Sequence, residues 1–381
     1  MSSAADALPA RGHIAGRARK TEDDFDRRLD AVIEQSAAGL RDMQSEDGHW
    51  VFELEADATI PAEYILLKHF IDEIDPALEE KIAVYLRGIQ GEHGGWPLYH
   101  DGDFDISASV KAYFALKLVG DDIDAPHMTR AREAILAAGG AATCNVFTRI
   151  TLALFGQVPW RAVPVMPIEI MHLPKWFFFH LSKVSYWSRT VIAPLLVLMA
   201  TKPEALNPRG VDIRELFVTP PETEKGYLTN STGAVAGDFF LGIDKLLRLF
   251  EPHMPRKPRA RAIEKALSFV AERLNGEDGL GGIFPAMANT VMAYHTLGYS
   301  ADNEQYATAK QAIEKLLVIE DDKAYCQPCL SPIWDTALSA QALLEIGDEE
   351  SMSSVRNSLL WLKDRQVLDV VGDWADARPN L

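Results

Sequence analysis

Between Pro174 and Trp187 the chain places Trp176, Phe177, Phe178, Phe179, Tyr186 and Trp187 close together. Aromatic faces stabilise cations, and a ring of them can guide a positively charged intermediate through a cavity that excludes water. Packing against a core is the commoner use of such residues. Three consecutive phenylalanines cannot all face one core, so some of them line a channel or meet lipid. Other chemistry is poorly provided for. Asp101, Asp103 and Asp105 lie in a glycine-containing loop before a helix, where capping and solvation suffice. Asp121, Asp122 and Asp124 read as a solvated loop between helices. His93, His100, His172, His180 and His253 show no ligand spacing. Cys326 and Cys329 form a C-x-x-C, but without a second pair or nearby histidines they read as two packed thiols. No phosphate-binding loop, nucleophile elbow or dinucleotide fingerprint is present, so no cofactor and no metal are expected.

A second chemical signature is physical rather than catalytic. From Asp238 to Phe250, residues Phe239, Phe240, Ile243, Leu246, Leu247 and Phe250 share one helical face, with Asp244, Lys245 and Arg248 on the other. Arg256, Lys257, Arg259 and Arg261 follow directly. An apolar stripe beside a basic cluster suits a helix lying in a membrane interface. The same pattern also suits an amphipathic helix facing the core.

The elements that must position these residues come as a repeat. A helical stretch ends in Gln44, Gly48 and Trp50; the same punctuation returns as Gln90, Gly94, Trp96 and as Gln366, Gly372, Trp374. Gly276 to Gly282 sits where another is due, with Leu274 and Leu280 in the Gln and Trp places. Charged amphipathic segments at 27–44, 76–90, 128–138, 258–274, 304–317 and 350–365 alternate with apolar ones. The latter, at 60–71, 106–119, 147–156, 187–200, 285–298 and 334–346, carry few charges. The first kind fits an outer helix with one wet face, the second an inner helix buried on most sides. Apolar inner helices favour closure into a ring over an open solenoid. The fold class expected is therefore all-α, an α/α toroid of helix pairs. Proline-rich connections at 157–185 and 202–237 interrupt the rhythm, and long connections in compact domains are often functional.

Composition narrows the partners. Of 381 residues, 38 are Lys or Arg against 55 Asp or Glu, a net charge of −17. That balance argues against nucleic acid, which needs basic surface to replace phosphate counterions. No segment is long and apolar enough to span a membrane; Val191 to Ala200 is too short and contains Pro194. Three cysteines and no signal peptide point to a reducing compartment. Residues 1–24 read as a disordered tail.

With this punctuation, and with "AEYILL" at 62–67, "VFTR" at 146–149, "PIEIM" at 167–171, "GGIFPA" at 281–286, "SPIWDTAL" at 331–338 and "GDWADARPNL" at 372–381, the chain resembles the squalene–hopene cyclase family. The resemblance runs from about Phe25 to Leu381. It implies two α/α barrels, one inserted near the start of the other, and a protein held peripherally on the cytoplasmic side of a membrane from which it draws squalene. It further implies cation-driven cyclisation begun by a strong acid in a D-x-D-D motif. Carried over by position, Phe147, Trp187 and Trp334 match cavity aromatics. Ile283 and Pro285 match the wall or entrance constriction, with Phe284 between them, and Glu63 matches a carboxylate of the polar network. Lys111, Asn145 and Phe284 depart from the Glu, Arg and Gln that the family often has.

The resemblance places the D-x-D-D motif beyond Leu381, with Asp335 in a partial echo of it and a weak candidate for the acid. Residues 25–317 are then expected to close one barrel and 318–381 to begin the second. On this view the chain is an inactive portion needing the C-terminal half, with apolar faces that favour a homodimer. A non-catalytic isoprenoid-binding or membrane-associated toroid, or part of a cyclase for a shorter isoprenoid, are the competing expectations. A sugar-processing toroid needs two facing carboxylates, and the inner segments offer few.

Overall fold

Helix starts follow the capping residues the sequence supplies. Asp75, Asp105, Asn145, Ser185, Asn303 and Asp348 each accept hydrogen bonds from amides of the first turn that follows. A computed structural model describes residues 12–229, 233, 235–276 and 278–368. Its helices, in chain order, are α1 (Gly12–Asp42), α2 (Thr59–Ile71), α3 (Pro76–Gly88), α4 (Ile106–Val119), α5 (Pro126–Ala137), α6 (Val146–Leu154) and α7 (Tyr186–Thr201). Then come α8 (Val235–Phe250), α9 (Arg256–Ala271), α10 (Phe284–Thr296), α11 (Glu304–Glu314), α12 (Pro332–Ile346) and α13 (Glu349–Asp364). Two small antiparallel ribbons depart from the helical pattern: β1 (Leu274–Asn275) with β2 (Gly279–Leu280), and β3 (Leu317–Ile319) with β4 (Ala324–Cys326). The fold class is all-α.

Burial separates several helices into the two expected kinds, but α12, expected as an inner helix, buries only Thr336, Ser339, Ala340 and Leu343. In α5 only Met128, Ala131 and Ile135 are buried, and in α9 only Ala262, Ala266 and Val270, single stripes at helical spacing. In α4, by contrast, every residue from Ser107 to Leu116 is buried. Helix α2 is covered almost as completely.

The chain divides into two compact units. One comprises residues 53–330. The other joins 12–52 to 331–368, so α1 belongs with α12 and α13 and not with the helices that follow it in sequence. The division lies elsewhere than the expected break at 317/318. The β3–β4 ribbon stays in the first unit, where Tyr325 stacks on Tyr85 of α3 at 4.7 Å. Residues 12–24, expected as tail, form the start of α1. Residues 1–11, Gly372, Trp374 and the rest of 369–381 lie outside the described residues.

The repeat explains this topology. At Trp96 the indole N–H donates to Leu86 O at the end of α3 (2.8 Å), and the backbone N–H donates to Ser109 Oγ of α4 (2.8 Å). The Gln90 amide donates to Gly94 O (2.6 Å) and to His127 O in the first turn of α5 (2.9 Å). One motif thus ties an outer helix to the next inner helix and the next outer helix. At Trp50 the same bonds recur: indole N–H to Leu40 O (2.7 Å), backbone N–H to Thr336 Oγ1 of α12 (2.9 Å), and Gln44 to Gly48 O and Ser354 O of α13 (2.8 and 3.0 Å). The next helix pair for Trp50 is therefore α12/α13, and residues 53–330 are an insertion between a repeat and its successor. Gly94 has φ +88°, and a Cβ there would sit 2.9 Å from Arg130 O; Gly48, at +98°, would meet the Asn357 backbone at 2.8 Å. Only glycine fits both the dihedral and the close approach.

Candidate active-site cavity

In the 53–330 unit, α4 packs against α2 and α6, and α10 packs against α2 and α7. All five of these inner helices contribute to one cavity of about 470 Å³. Their lining residues recur at i, i+3 or i+4 and i+7, as one helical face requires. Phe147, Ile150, Thr151 and Leu154 line it from α6, and Pro285, Ala288, Asn289 and Met292 from α10. Sequence reasoning found the first residue of each row and missed the rest, although this spacing could have located them.

The lining is mostly apolar; Asp57, Glu63, Asp105, Ser107, Lys111 and Asn145 gather toward the starts of the inner helices, and Thr151 and Asn289 stand farther along α6 and α10. Most are occupied locally. Asp105 caps Ala108 N (2.8 Å), Asn145 caps Thr148 N (2.9 Å), and Ser107 Oγ accepts from Asn145 N (3.0 Å). Lys111 lies almost wholly inside, its side chain 5% exposed, with Nζ 2.5 Å from Glu63 Oε1. A buried ammonium needs such a partner. The arrangement can hold a long apolar molecule away from water, with one ionic pair at its polar end.

Of the residues expected in the cavity, Glu63, Phe147, Phe284 and Pro285 line it. Phe284 is fully buried and Phe147 is 57% exposed, at the rim. Ile283 stands just before α10, its backbone bridged to Cys329. Trp187 is also largely exposed; its indole N–H donates to Gly281 O (3.2 Å), and it does not line this cavity. Trp334 belongs to the other unit, where it is exposed on α12. Asp335 is engaged by its own unit, where Oδ2 accepts from Phe52 N (2.9 Å) and Oδ1 from Ser331 Oγ (3.0 Å). The loop carboxylate Asp121 is not solvated as expected. Its side chain is 7% exposed, held by Arg87 and by His127 at 2.6 Å.

No metal-binding group of His, Cys, Asp and Glu occurs among the described residues. The three cysteines are free, and burial pushes the Cys144 thiol up to about 12 and raises that of Cys326, so both are packed thiols at neutral pH.

The aromatic run and α8 form one surface. Ring contacts connect Trp176 to Phe177, Phe177 to Phe179, Phe179 to Phe178 and Phe240, and Phe240 to Phe239. Trp176, Phe178, Phe239, Phe240 and Phe250 are exposed, while Ile243 and Leu247 are half-buried. The inward side of α8 carries Asp244, buried, with Oδ2 2.6 Å from Arg248 Nε and Oδ1 accepting from Val165 N (2.7 Å). The helix is inverted relative to a soluble amphipathic helix: an ion pair faces the protein and phenylalanines face out. Within the described residues the core does not cover the phenylalanines of this face. No helix among the described residues is long and apolar enough to cross a membrane.

The family model for the squalene-hopene cyclase N-terminal domain matches residues 33–322, and that for the C-terminal domain matches 330–381. The chain belongs to the squalene–hopene cyclase family. It is 55% identical over 356 residues to the squalene–hopene cyclase of Bradyrhizobium diazoefficiens, covering 93% of this chain and 54% of that protein. The squalene–hopene cyclase of Zymomonas mobilis is likewise 55% identical over 360 residues, again 93% and 54%. That of Schizosaccharomyces japonicus is 50% identical over 361 residues, 93% and 55%. The chain thus spans about half the length of the curated relatives it matches. Family membership gives the Gln-to-Trp clamps and the inner-helix cavity a common context.

Proposed function

We propose that residues 1–381 form the substrate-sheltering and membrane-docking part of a triterpene cyclase that converts squalene to hopene-type pentacycles. The observation that carries this reading is the identity to squalene–hopene cyclases along nearly the whole chain. An apolar cavity walled by five helices supports it, because each carbocation of a polyene cyclisation must be kept from water. Aromatic faces such as Phe147 would stabilise the cations as rings close.

On this reading Asp335, which accepts from Phe52 and Ser331, serves the fold and is not the initiating acid. Residues 1–381 alone are then expected to leave squalene unchanged. Exposed Trp334, Leu338 and Leu344 on α12 would be covered by the remainder of the second barrel. The test is incubation of the purified chain with squalene, with and without the C-terminal half of a related cyclase. Pentacyclic product is expected only with both parts. Product from residues 1–381 alone overturns the reading.

Docking rests on the inverted α8 and its aromatic neighbours, which would sit in the interfacial layer of a membrane that holds the substrate. The chain is expected to float with liposomes; a chain that stays with soluble markers counts against this part.

A further inference from the structure

A second, smaller cleft of about 230 Å³ lies against α8, lined by Arg161, Lys225, Tyr227, Asp244, Lys245 and Arg248 among others. We propose that it binds the phosphodiester headgroup of an anionic lipid. The inference deepens the membrane-docking reading above and rests on it.

Charge is the first argument. Four cations and one carboxylate line the cleft, in a chain whose net charge is −17; of the carboxylates beside it, Glu222 is paired with Arg214 and Glu224 accepts from Gly226 N. Asp244 is already neutralised by Arg248, so its charge does not offset the others. Arg161 is fixed in place: its guanidinium donates to Pro221 O (3.1 Å) and Glu222 O (2.7 Å) and stands over the Tyr227 ring at 5.5 Å. Carbonyl acceptors orient a guanidinium but leave its positive charge uncompensated. Lys225 and Lys245 are exposed and make no hydrogen bond or ion pair among the described residues. Like charges gathered in one cleft repel, and an anion with several oxygen acceptors relieves that repulsion.

Position is the second argument. Leu241, Lys245 and Leu249 form one row along α8 at helical spacing. Leu241 lines the cleft and Leu249 is 65% exposed on the outward apolar side, so Lys245 marks the border between them. A phosphodiester headgroup held there keeps its oxygens in the cleft while the lipid's acyl chains lie along Phe239, Leu246 and Phe250. A free phosphate shares the anionic chemistry but gains nothing from that apolar face.

The test measures binding of the full chain to vesicles of phosphatidylcholine, with and without phosphatidylglycerol. Native protein is expected to prefer the anionic vesicles. The double variant Lys225→Ala/Lys245→Ala should lose about 30-fold in affinity for them, two lysines each contributing about fivefold, with its binding to neutral vesicles unchanged. The double variant Lys257→Ala/Arg261→Ala, exposed on α9 outside the cleft, should lose no more than about threefold as a field effect. Equal losses from the two pairs overturn the site in favour of a general basic field. A Lys225/Lys245 variant that binds like native also overturns it, while leaving membrane docking intact. Displacement of native protein from anionic vesicles by millimolar inorganic phosphate, at constant ionic strength, assigns the cleft to a soluble anion and overturns the lipid. Failure of native protein to bind either vesicle defeats docking itself, and this inference with it.

Discussion

Replacing the glutamine of each complete clamp with leucine should loosen one unit and leave the other untouched. Gln90→Leu removes amide donations to Gly94 O and His127 O and an acceptor for Arg130 Nη2 (2.8 Å). Gln44→Leu removes those to Gly48 O and Ser354 O. Each such bond contributes about 1 kcal/mol net, and these carbonyls are only part-buried, so the low end of the desolvation penalty applies. The Arg130 bond is exposed and adds little. The expected cost is roughly 2–3 kcal/mol for either variant, which corresponds to about 30- to 150-fold faster amide exchange where opening is local. Hydrogen exchange read by mass spectrometry on peptides gives the location. Gln90→Leu should accelerate the end of α3 and the start of α5 while α12 and α13 stay at native rates. Gln44→Leu should do the reverse, opening the end of α1 and α13. Acceleration under about threefold, or the same peptides responding to both variants, refutes the equivalence of the two motifs.

Glu63→Gln leaves the Lys111 ammonium without its partner inside the cavity; thermal unfolding should show a loss of about 2–4 kcal/mol, largely recovered by Lys111→Met in the double variant. Burial would push the Asp121 carboxyl up, but hydrogen bonds from Arg87 and His127 outweigh it and hold its pKa below 3.8. Its contribution to stability is therefore complete above about pH 5 and is lost as pH falls through the folded value, so acid unfolding of Asp121→Asn should begin from a lower stability and fall less steeply. Phe240→Asp places a charge on the outward aromatic surface and should reduce binding to neutral vesicles about tenfold or more without lowering the melting temperature.

Helix positions were legible because period and composition agree: from Ser107 to Leu116 every residue but Lys111 is small or apolar, and α4 has no wet face there. The ribbons were not legible. Leu274 and Leu317 continue the helical pattern, and only the pairing of Leu274 with Leu280 and of Leu317 with Cys326 selects the extended form. At the site, Glu63 and Phe147 are accessible through motif, whereas Asp57 and Asn289 need three-dimensional convergence of helices distant in sequence. The burial of Asp121 is hidden for a similar reason, since its partners, Arg87 and His127, flank the loop from two different helices. The direction in which α8 faces cannot be read either, because an apolar stripe looks the same whether core or lipid covers it. What decides it is the burial of Asp244, held by Val165 N from a loop 79 residues earlier.

The same logic accounts for Asp335. A unit interrupted by 53–330 must hold together two stretches that are remote in sequence, and loop closure makes that costly unless the inserted segment is itself folded with its ends close. The chain leaves the interrupted unit at Phe52 and returns at Ser331, and there Asp335 accepts from the Phe52 amide while Thr336 and Trp50 exchange two further bonds. In the inserted unit, the Leu54 amide donates to Gln327 Oε1 (2.7 Å), closing its own ends. Each unit thus fastens its side of the crossing independently. A carboxylate at 335 serves this joint because its two oxygens accept from Phe52 and Ser331 at once. The residue that most resembles a catalytic acid in the sequence is fixed by topology, because the repeat it belongs to continues from Trp50 and not from its neighbour in the chain.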